Sequence, residues 1–457
     1  MEDAQLLNRL INLEKELDVN RIQVKGIPLW RIVRYSTRLH YLSCVSGYVA
    51  STGSAQTVGK KKIKFISGFW RYIGRDNLNV FFPFNRLVDK GNCLLDKFVD
   101  PVIEESELYK QHCVIVDSPN YRGSFNRIHK DICVQQENRT IYSQFLKQFF
   151  KLFVKLRYNK EIDKLFQIVK DPFLLNEGNK NSYYQSLSLF LAGYSYYLMW
   201  FRILKPRRVF VVLREGYFPV IAACKKLGIP VAEFQHGITL DKTVSYTGDY
   251  DERIDPDYFL TFGKFWKEKQ FGMTSNRIFC IGWAYGKYLS KGVEKESFKR
   301  TNEILVISSP EISDSILDTL IVLSKVEGAY SFHIRLHPCE SYNDKQKQKL
   351  QSIPNAQVVD NKTDSALVLP TYKYVVGENS SVIYEALSVG CKVGMLNLCG
   401  LKPAIDLPGI KENFFVINDA KDFERFLTEE STEATTKAEF YSEFDNKKFM
   451  EFINQKM

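Results

Sequence analysis

The sequence predicts an α/β protein built of two Rossmann-like domains facing a cleft, with a helical N-terminal extension. Three observations carry this expectation. From residue 207 onward, short apolar runs alternate with helical stretches. Such alternation implies parallel sheets covered on both faces. A charged, unpatterned segment, 286–302, interrupts the rhythm once and divides it into two halves. At about 150 residues per domain, the length of 457 residues allows roughly three units, and two large ones equally well.

Composition narrows the class. Hydrophobic residues make up 45% and charged residues 25%, which excludes wholesale disorder, and no collagen, coiled-coil or disulfide scaffold fits. The 63 Lys and Arg against 53 Asp and Glu leave a charge of +10. That balance suits an anionic small substrate or an acidic membrane surface and is too mild to imply nucleic acid. Nine cysteines, with no C-x-x-C pair, point to reduced thiols in a cytoplasmic protein.

The elements follow in order. Residues 1–60 begin with an acidic amphipathic helix that lacks the basic and apolar regions of a signal peptide. They continue through VKGIPLWRIVRYSTRLHYL into the small-residue run GYVASTGSAQTVG, a loop. Residues 61–285 form the first domain. NVFFPF at 79–84 and CVIVD at 113–117 read as buried strands. Residues 142–170 read as a basic helix. Its stripe of Phe145, Phe149, Leu152, Phe153 and Leu156 either docks on a core or lies on an anionic membrane. The stretch Ser182–Phe201 carries no charge and is long enough to span a bilayer. Its four Ser, one Gln and five Tyr favour instead a buried helix ending at Lys205-Pro206. Strands follow at RRVFVVLR, IPVAEFQ, PDYFLTFG and RIFCIG, with helices between them. After the linker, residues 303–430 repeat the grammar with EILVIS, SFHIRL, YKYVVG, CKVGMLN and ENFFVI. The tail 431–457 ends in a helix able to fold back on the first domain.

Ligands of doubly wound sheets bind beyond the carboxyl ends of the strands. Four such ends are chemically loaded. In SFHIRLHP, alternation puts His333, Arg335 and His337 on one face, and Pro338 fixes the chain after them. In GENSSVIYEAL, Asn379, Ser380 and Ser381 open a helix whose N–H groups favour an anion, and Glu385 lies one turn deeper. An ordinary serine N-cap would look the same in isolation. In LREGYFP, Arg214-Glu215-Gly216 joins strand to helix, and Glu215 is a candidate general base or a dipole-stabilising acid. In EFQHGITLD, Gln235-His236-Gly237 offers a second base. No G-x-G-x-x-G follows any strand, which argues against a dehydrogenase. The D-x-D pairs Asp249/Asp251 and Asp255/Asp257 lie in a loop, so no metal is expected.

These motifs resemble GT-B fold glycosyltransferases of bacterial surface polysaccharide (capsule and lipopolysaccharide) synthesis, the CMP-sugar-dependent sialyl- and Kdo-transferases above all. In the sialyltransferases an acidic-acidic-Gly motif holds the base, while an HP motif and a Ser-rich helix start contact the nucleotide phosphate. His337-Pro338 and Ser380-Ser381 match, whereas Arg214 replaces the first acid. The CDP-glycerol glycerophosphotransferases of teichoic acid synthesis are also similar, through HG, HP and SS motifs, with Gln235 where tryptophan is usual. The resemblance spans about 205–430.

It implies a metal-independent glycosyltransferase without a cofactor, taking a sugar from a nucleotide-activated donor, with CMP expected. In it Arg335, His337, Pro338, Asn379, Ser380, Ser381 and Glu385 bind the nucleotide. Arg214, Gln235, His236 and Gly237 bind the acceptor, and Glu215, His236 and His337 are catalytic. The implied acceptor is a lipid-linked or growing glycan, met at the cytosolic face of the inner membrane. Two alternatives stay open: a CDP-polyol phosphotransferase and a non-catalytic nucleotide-binding scaffold.

Overall fold

Runs rich in Val, Phe and Ile suit strands because β-branched and aromatic side chains fit a pleated surface covered on both sides. The computed structural model describes residues 3–46, 68–84, 87–89, 93–111, 113–117, 127–135, 141–237, 246, 248–268, 272–290, 301–310, 312–328, 330–338, 340–378, 380–398, 414–429 and 440–455. The runs assemble there into two parallel sheets. The first holds β1 (Asn79–Phe82), β2 (Cys113–Asp117), β3 (Cys133–Gln135), β4 (Arg208–Val212), β5 (Val231–Phe234), β6 (Tyr258–Thr261) and β7 (Ile278–Cys280). Its order is β3-β2-β1-β4-β5-β6-β7. The second holds β8 (Thr301–Ile307), β9 (Phe332–Arg335), β10 (Ala356–Val359), β11 (Tyr372–Gly377), β12 (Lys392–Leu396) and β13 (Phe414–Ile417), ordered β10-β9-β8-β11-β12-β13. Each sheet starts near its centre and reverses direction once, between β1 and β4 or between β8 and β11. Both halves are doubly wound Rossmann-like domains, as the sequence predicts.

Along β1 and β4, alternate residues enter different cores. Val80, Phe82, Val209 and Val211 face one, and Phe81, Phe210 and Val212 the other, where Phe81 and Phe210 stack at 4.5 Å. The first core is closed by α1 (Asp3–Glu16), α2 (Leu29–Ser46), α3 (Ile141–Arg157), α4 (Asn159–Val169), α5 (Glu177–Leu204) and α6 (Phe218–Leu227). Thus α1 and α2, expected as an extension, share the core of the first sheet. The uncharged stretch lies inside α5, with Tyr183, Leu187, Leu191 and Phe201 buried. That helix starts on an Asn176 capping box and ends at Lys205, whose φ of +45° stops it before Pro206. Among the described residues no helix is long and apolar enough to cross a membrane.

The basic helix expected over 142–170 is two helices, α3 and α4, broken at Tyr158. Its inward stripe is also not the expected one. Leu146, Phe150 and Val154 enter the core, while Phe145, Phe149, Leu152 and Leu156 point outward.

The second face of the first sheet shares a continuous core with one face of the second sheet, through Trp266, Tyr384 and Phe440. Trp266 donates its indole N–H to the Phe440 carbonyl at 2.7 Å. On the second sheet, α7 (Ser313–Leu323) and α8 (Ser381–Ser388) cover opposite faces. The chain then returns to the first domain, where α9 (Asn446–Asn454) lays Phe449 and Phe452 on Phe210 and Phe234. Burying each phenyl ring contributes roughly 2–3 kcal/mol. Arg208 and Arg207 lock the helix end by donating to the carbonyls of Phe452 and Asn454.

Candidate active site

In the second domain, the register puts Arg335, Ile307 and Gly377 in one row across β9, β8 and β11. His337 and Ser380 therefore leave the same sheet end on either side of Ser308-Ser309. The strands that carry them are about 10 Å apart, two strand spacings. Space at Gly377 is tight: a Cβ there would sit 3.0 Å from the Ile307 carbonyl oxygen and 3.1 Å from the Ile383 Cδ1, so a larger residue would require its neighbours to move by a few tenths of an ångström.

The turn at His337 is tied by Glu340. The His337 N–H donates to Glu340 Oε2 at 2.9 Å, and the Glu340 N–H returns to the His337 carbonyl at 2.8 Å. The other carboxylate oxygen accepts from the Ser308 and Ser313 hydroxyls. One acid thus pins the ends of β8 and β9 to the start of α7. Pro338 is exposed. Ser380 caps α8, its Oγ accepting from the Val382 N–H at 3.3 Å, and Ser381 is the first helical residue. Both serines are half-buried. Asn379 lies outside the described residues.

Arg335 and Glu385 are engaged elsewhere than expected. The Arg335 guanidinium donates to the carbonyls of Asp360 and Thr363, bracing the loop after β10. Glu385 is 6% exposed, accepts from Ser365 Oγ at 3.0 Å and lies 3.6 Å from Lys97 Nζ. Lys97 belongs to the first domain and also lies over the rings of Trp283 and Tyr285. The carboxylate expected at a ribose forms a bridge between the halves instead.

In the first domain, β4 is followed by Leu213 at φ +65°, an unusual value for a bulky residue, which turns the chain into Arg214-Glu215-Gly216. Arg214, expected to meet an acceptor, is only 3% exposed. Its Nε donates to Glu233 Oε2 at 2.7 Å, and its Nη1 lies 3.3 Å from Asp255, which also pairs with Arg31. Burial opposes the guanidinium's charge, but Glu233 and Asp255 overcome it and raise its pKa. The Gln235 side chain is buried too, donating to the Gly237 carbonyl and accepting from the Phe262 N–H. Gly237 itself is half-buried beside His236.

His236 stays half-buried. Its Nδ1 is 2.9 Å from the Tyr246 hydroxyl, which donates to Glu233 Oε1 at 3.2 Å. In the tautomer that donates from Nδ1 to the tyrosine oxygen, the ring carries its lone pair on Nε2, the form a general base needs. Glu215 is half-buried within electrostatic reach of Arg34, Tyr35 and Tyr246. A cavity of about 270 Å3, lined among others by Glu14, Lys15, Trp30, Arg31, Arg34 and Asp249, lies on the same Arg31–Arg34 side. A second, of about 800 Å3, runs between β7 and α9. Neither cavity is lined by His337, Ser380 or Ser381.

Sequence reasoning missed Glu233, Tyr246, Glu340 and Lys97. For Glu233 a signal existed: a carboxylate inside the apolar run IPVAEFQ requires a buried partner. Three of the four D-x-D carboxylates are held in ion pairs: Asp251 with Arg253, Asp255 with Arg31 and Arg214, and Asp257 with Lys225.

A second charged cluster sits beside β2. Arg127 pairs with Asp100 at 2.6 Å and with Asp117 at 3.2 Å, next to Asp96. Burial, only partly countered by Arg127, pushes Asp100 up to about 7 and Asp117 up to about 6. These folded-state values exceed those of an unfolded chain, so the native state holds protons more tightly. Their contribution to stability is complete below about pH 4 and is lost as the pH rises through 6 to 7. The urea midpoint is therefore expected to fall between about pH 5 and pH 8. Asp100→Asn, whatever its absolute stability, should flatten that slope; an unchanged slope would refute the assignment.

No protein-family model and no curated protein matches the sequence. Among solved structures, similarity extends to UDP-GlcNAc 2-epimerase from Methanocaldococcus jannaschii, at 12% identity and a TM-score of 0.47, over 82% of this chain and 99% of that one. The lipopolysaccharide outer core galactosyltransferase WaaB, apo form, is 13% identical with a TM-score of 0.45, over 82% and 99%. UDP-GlcNAc 2-epimerase from Neisseria meningitidis, bound to UDP-GlcNAc, is 12% identical with a TM-score of 0.43, over 79% and 96%. The two-domain fold stands on the strand orders themselves.

Proposed function

We propose that the chain is a glycosyltransferase that moves a sugar from a nucleotide-activated donor to a lipid-linked or growing surface glycan. The observation that carries this reading is the set of polar groups around the reversal point of the second sheet: His337 on one side of β8, Ser380 and Ser381 on the other. The hydroxyls and the Ser381 N–H at the start of α8 hold the donor's phosphate, and His337 donates to the phosphate oxygen that gains charge as the sugar is transferred. In the first domain His236, with its lone pair on Nε2 in the tautomer that donates to Tyr246, removes the acceptor hydroxyl's proton; Glu215 is the other candidate for that task. The tied turns at both sheet ends preorganise these groups. No divalent metal takes part in this scheme.

The motif resemblance favours a CMP-linked donor, with UDP as the competing arm. A thermal-shift screen of CMP, CDP, UDP and GDP tests the reading. A nucleotide at a hundredfold excess over its Kd is expected to add about 2.7 kcal/mol to stability. The shift should vanish in Ser380→Ala/Ser381→Ala. No shift with any of the four nucleotides would overturn the proposal.

A further inference from the structure

The proposed transfer chemistry leaves the outer face of α3 unused. Phe145, Phe149, Leu152 and Leu156 are 65%, 50%, 62% and 78% exposed. They form one strip, with Phe145 stacked on Phe149 and Phe149 on Phe153 at ring distances of 6.4 and 5.8 Å. The strip is not the price of a poorly packed helix, because Leu146, Phe150 and Val154 already fill the inward face. Alongside it, Lys151, Lys155 and Arg157 are exposed, and Lys160 and Lys164 extend the basic track on α4. The seventeen residues of α3 (IYSQFLKQFFKLFVKLR) contain four basic side chains and no acidic one.

We propose that α3 docks this protein on an anionic lipid bilayer, lying in the interface with its phenyl and leucyl groups below the headgroups and its lysines at the lipid phosphates. Charge selects this occupant. A second copy of the chain would bring the same exposed Lys151, Lys155 and Arg157 against themselves, whereas an anionic headgroup layer neutralises them while the acyl region takes the apolar strip. The helix is about 25 Å long, enough for all four apolar groups to reach one plane. This deepens the proposed use of a lipid-linked acceptor but rests on separate residues. Vesicle binding is read without donor or acceptor, so its failure would leave the transfer reading standing.

The test is cosedimentation of the full chain with phosphatidylcholine vesicles containing phosphatidylglycerol, compared with phosphatidylcholine alone. Binding is expected to be at least about tenfold stronger to the anionic vesicles and to weaken as salt rises. Phe149→Ser/Leu152→Ser/Leu156→Ser should reduce it about tenfold or more with an unchanged melting curve, since these side chains are exposed. Lys151→Glu/Lys155→Glu should abolish the preference for anionic lipid. Equal binding to both vesicle types, or full binding by the triple variant, would overturn the proposal. So would a wild-type dimer in sedimentation velocity that the triple variant converts to monomer, because α3 would then be a protein interface.

Discussion

Replacing His337 by alanine is expected to lower kcat/KM roughly 10²–10³-fold with the nucleotide sugar that the thermal-shift screen selects, the scale seen when one preorganised donor to a developing charge is removed. The melting curve should be unchanged. The turn is held by the His337 backbone and Glu340, and alanine keeps that backbone N–H. His337→Gln, which retains a donor, should recover part of the lost rate. Near-normal turnover in His337→Ala would remove the residue from the reaction and leave the carboxyl end of β9 a structural turn.

Arg214→Met is expected to cost about 3–5 kcal/mol of stability, read as a drop in the urea midpoint. The substitution leaves Glu233, which is 0% exposed, and Asp255, which is 1% exposed, with fewer positive partners in a site that water does not reach. The penalty comes from the carboxylates left behind, so Arg214→Met/Glu233→Met should regain about half of it or more. A variant as stable as the wild type, with only a raised KM for the acceptor, would return Arg214 to the acceptor-binding role that its place after β4 first suggested.

The strands legible from sequence are those with strong apolar runs, the edge strands β7 and β13 among them. FVV, LVI and YVV must be buried on both faces, and their spacing leaves room for only one kind of connection. The strands that escaped notice, β3 and β10, lie at sheet edges, where short, half-polar runs such as CVQ and AQVV give little periodic signal. Chain positions of the candidate groups were legible for the same reason: His337, Ser380, Glu215 and His236 all follow strong strands. Their partners were not, because ion pairs between distant residues leave no local pattern. Arg214 was read as a substrate ligand because nothing near it in sequence shows Glu233 or Asp255 closing over it. For α3 the difficulty is geometric. Phe145, Phe149 and Leu156 form one apolar arc and Leu146, Phe150 and Val154 the next, so periodicity identifies an apolar helix without choosing which arc turns inward.

The return of the chain to its first half has a mechanical consequence. The polypeptide passes between the lobes after Ser290 and comes back before Phe440, with α9 seated on the sheet it left. Prising the halves apart would wet the apolar seam around Trp266, Tyr384 and Phe440 and separate Lys97 from Glu385, so the described parts of both halves are held as one packed body.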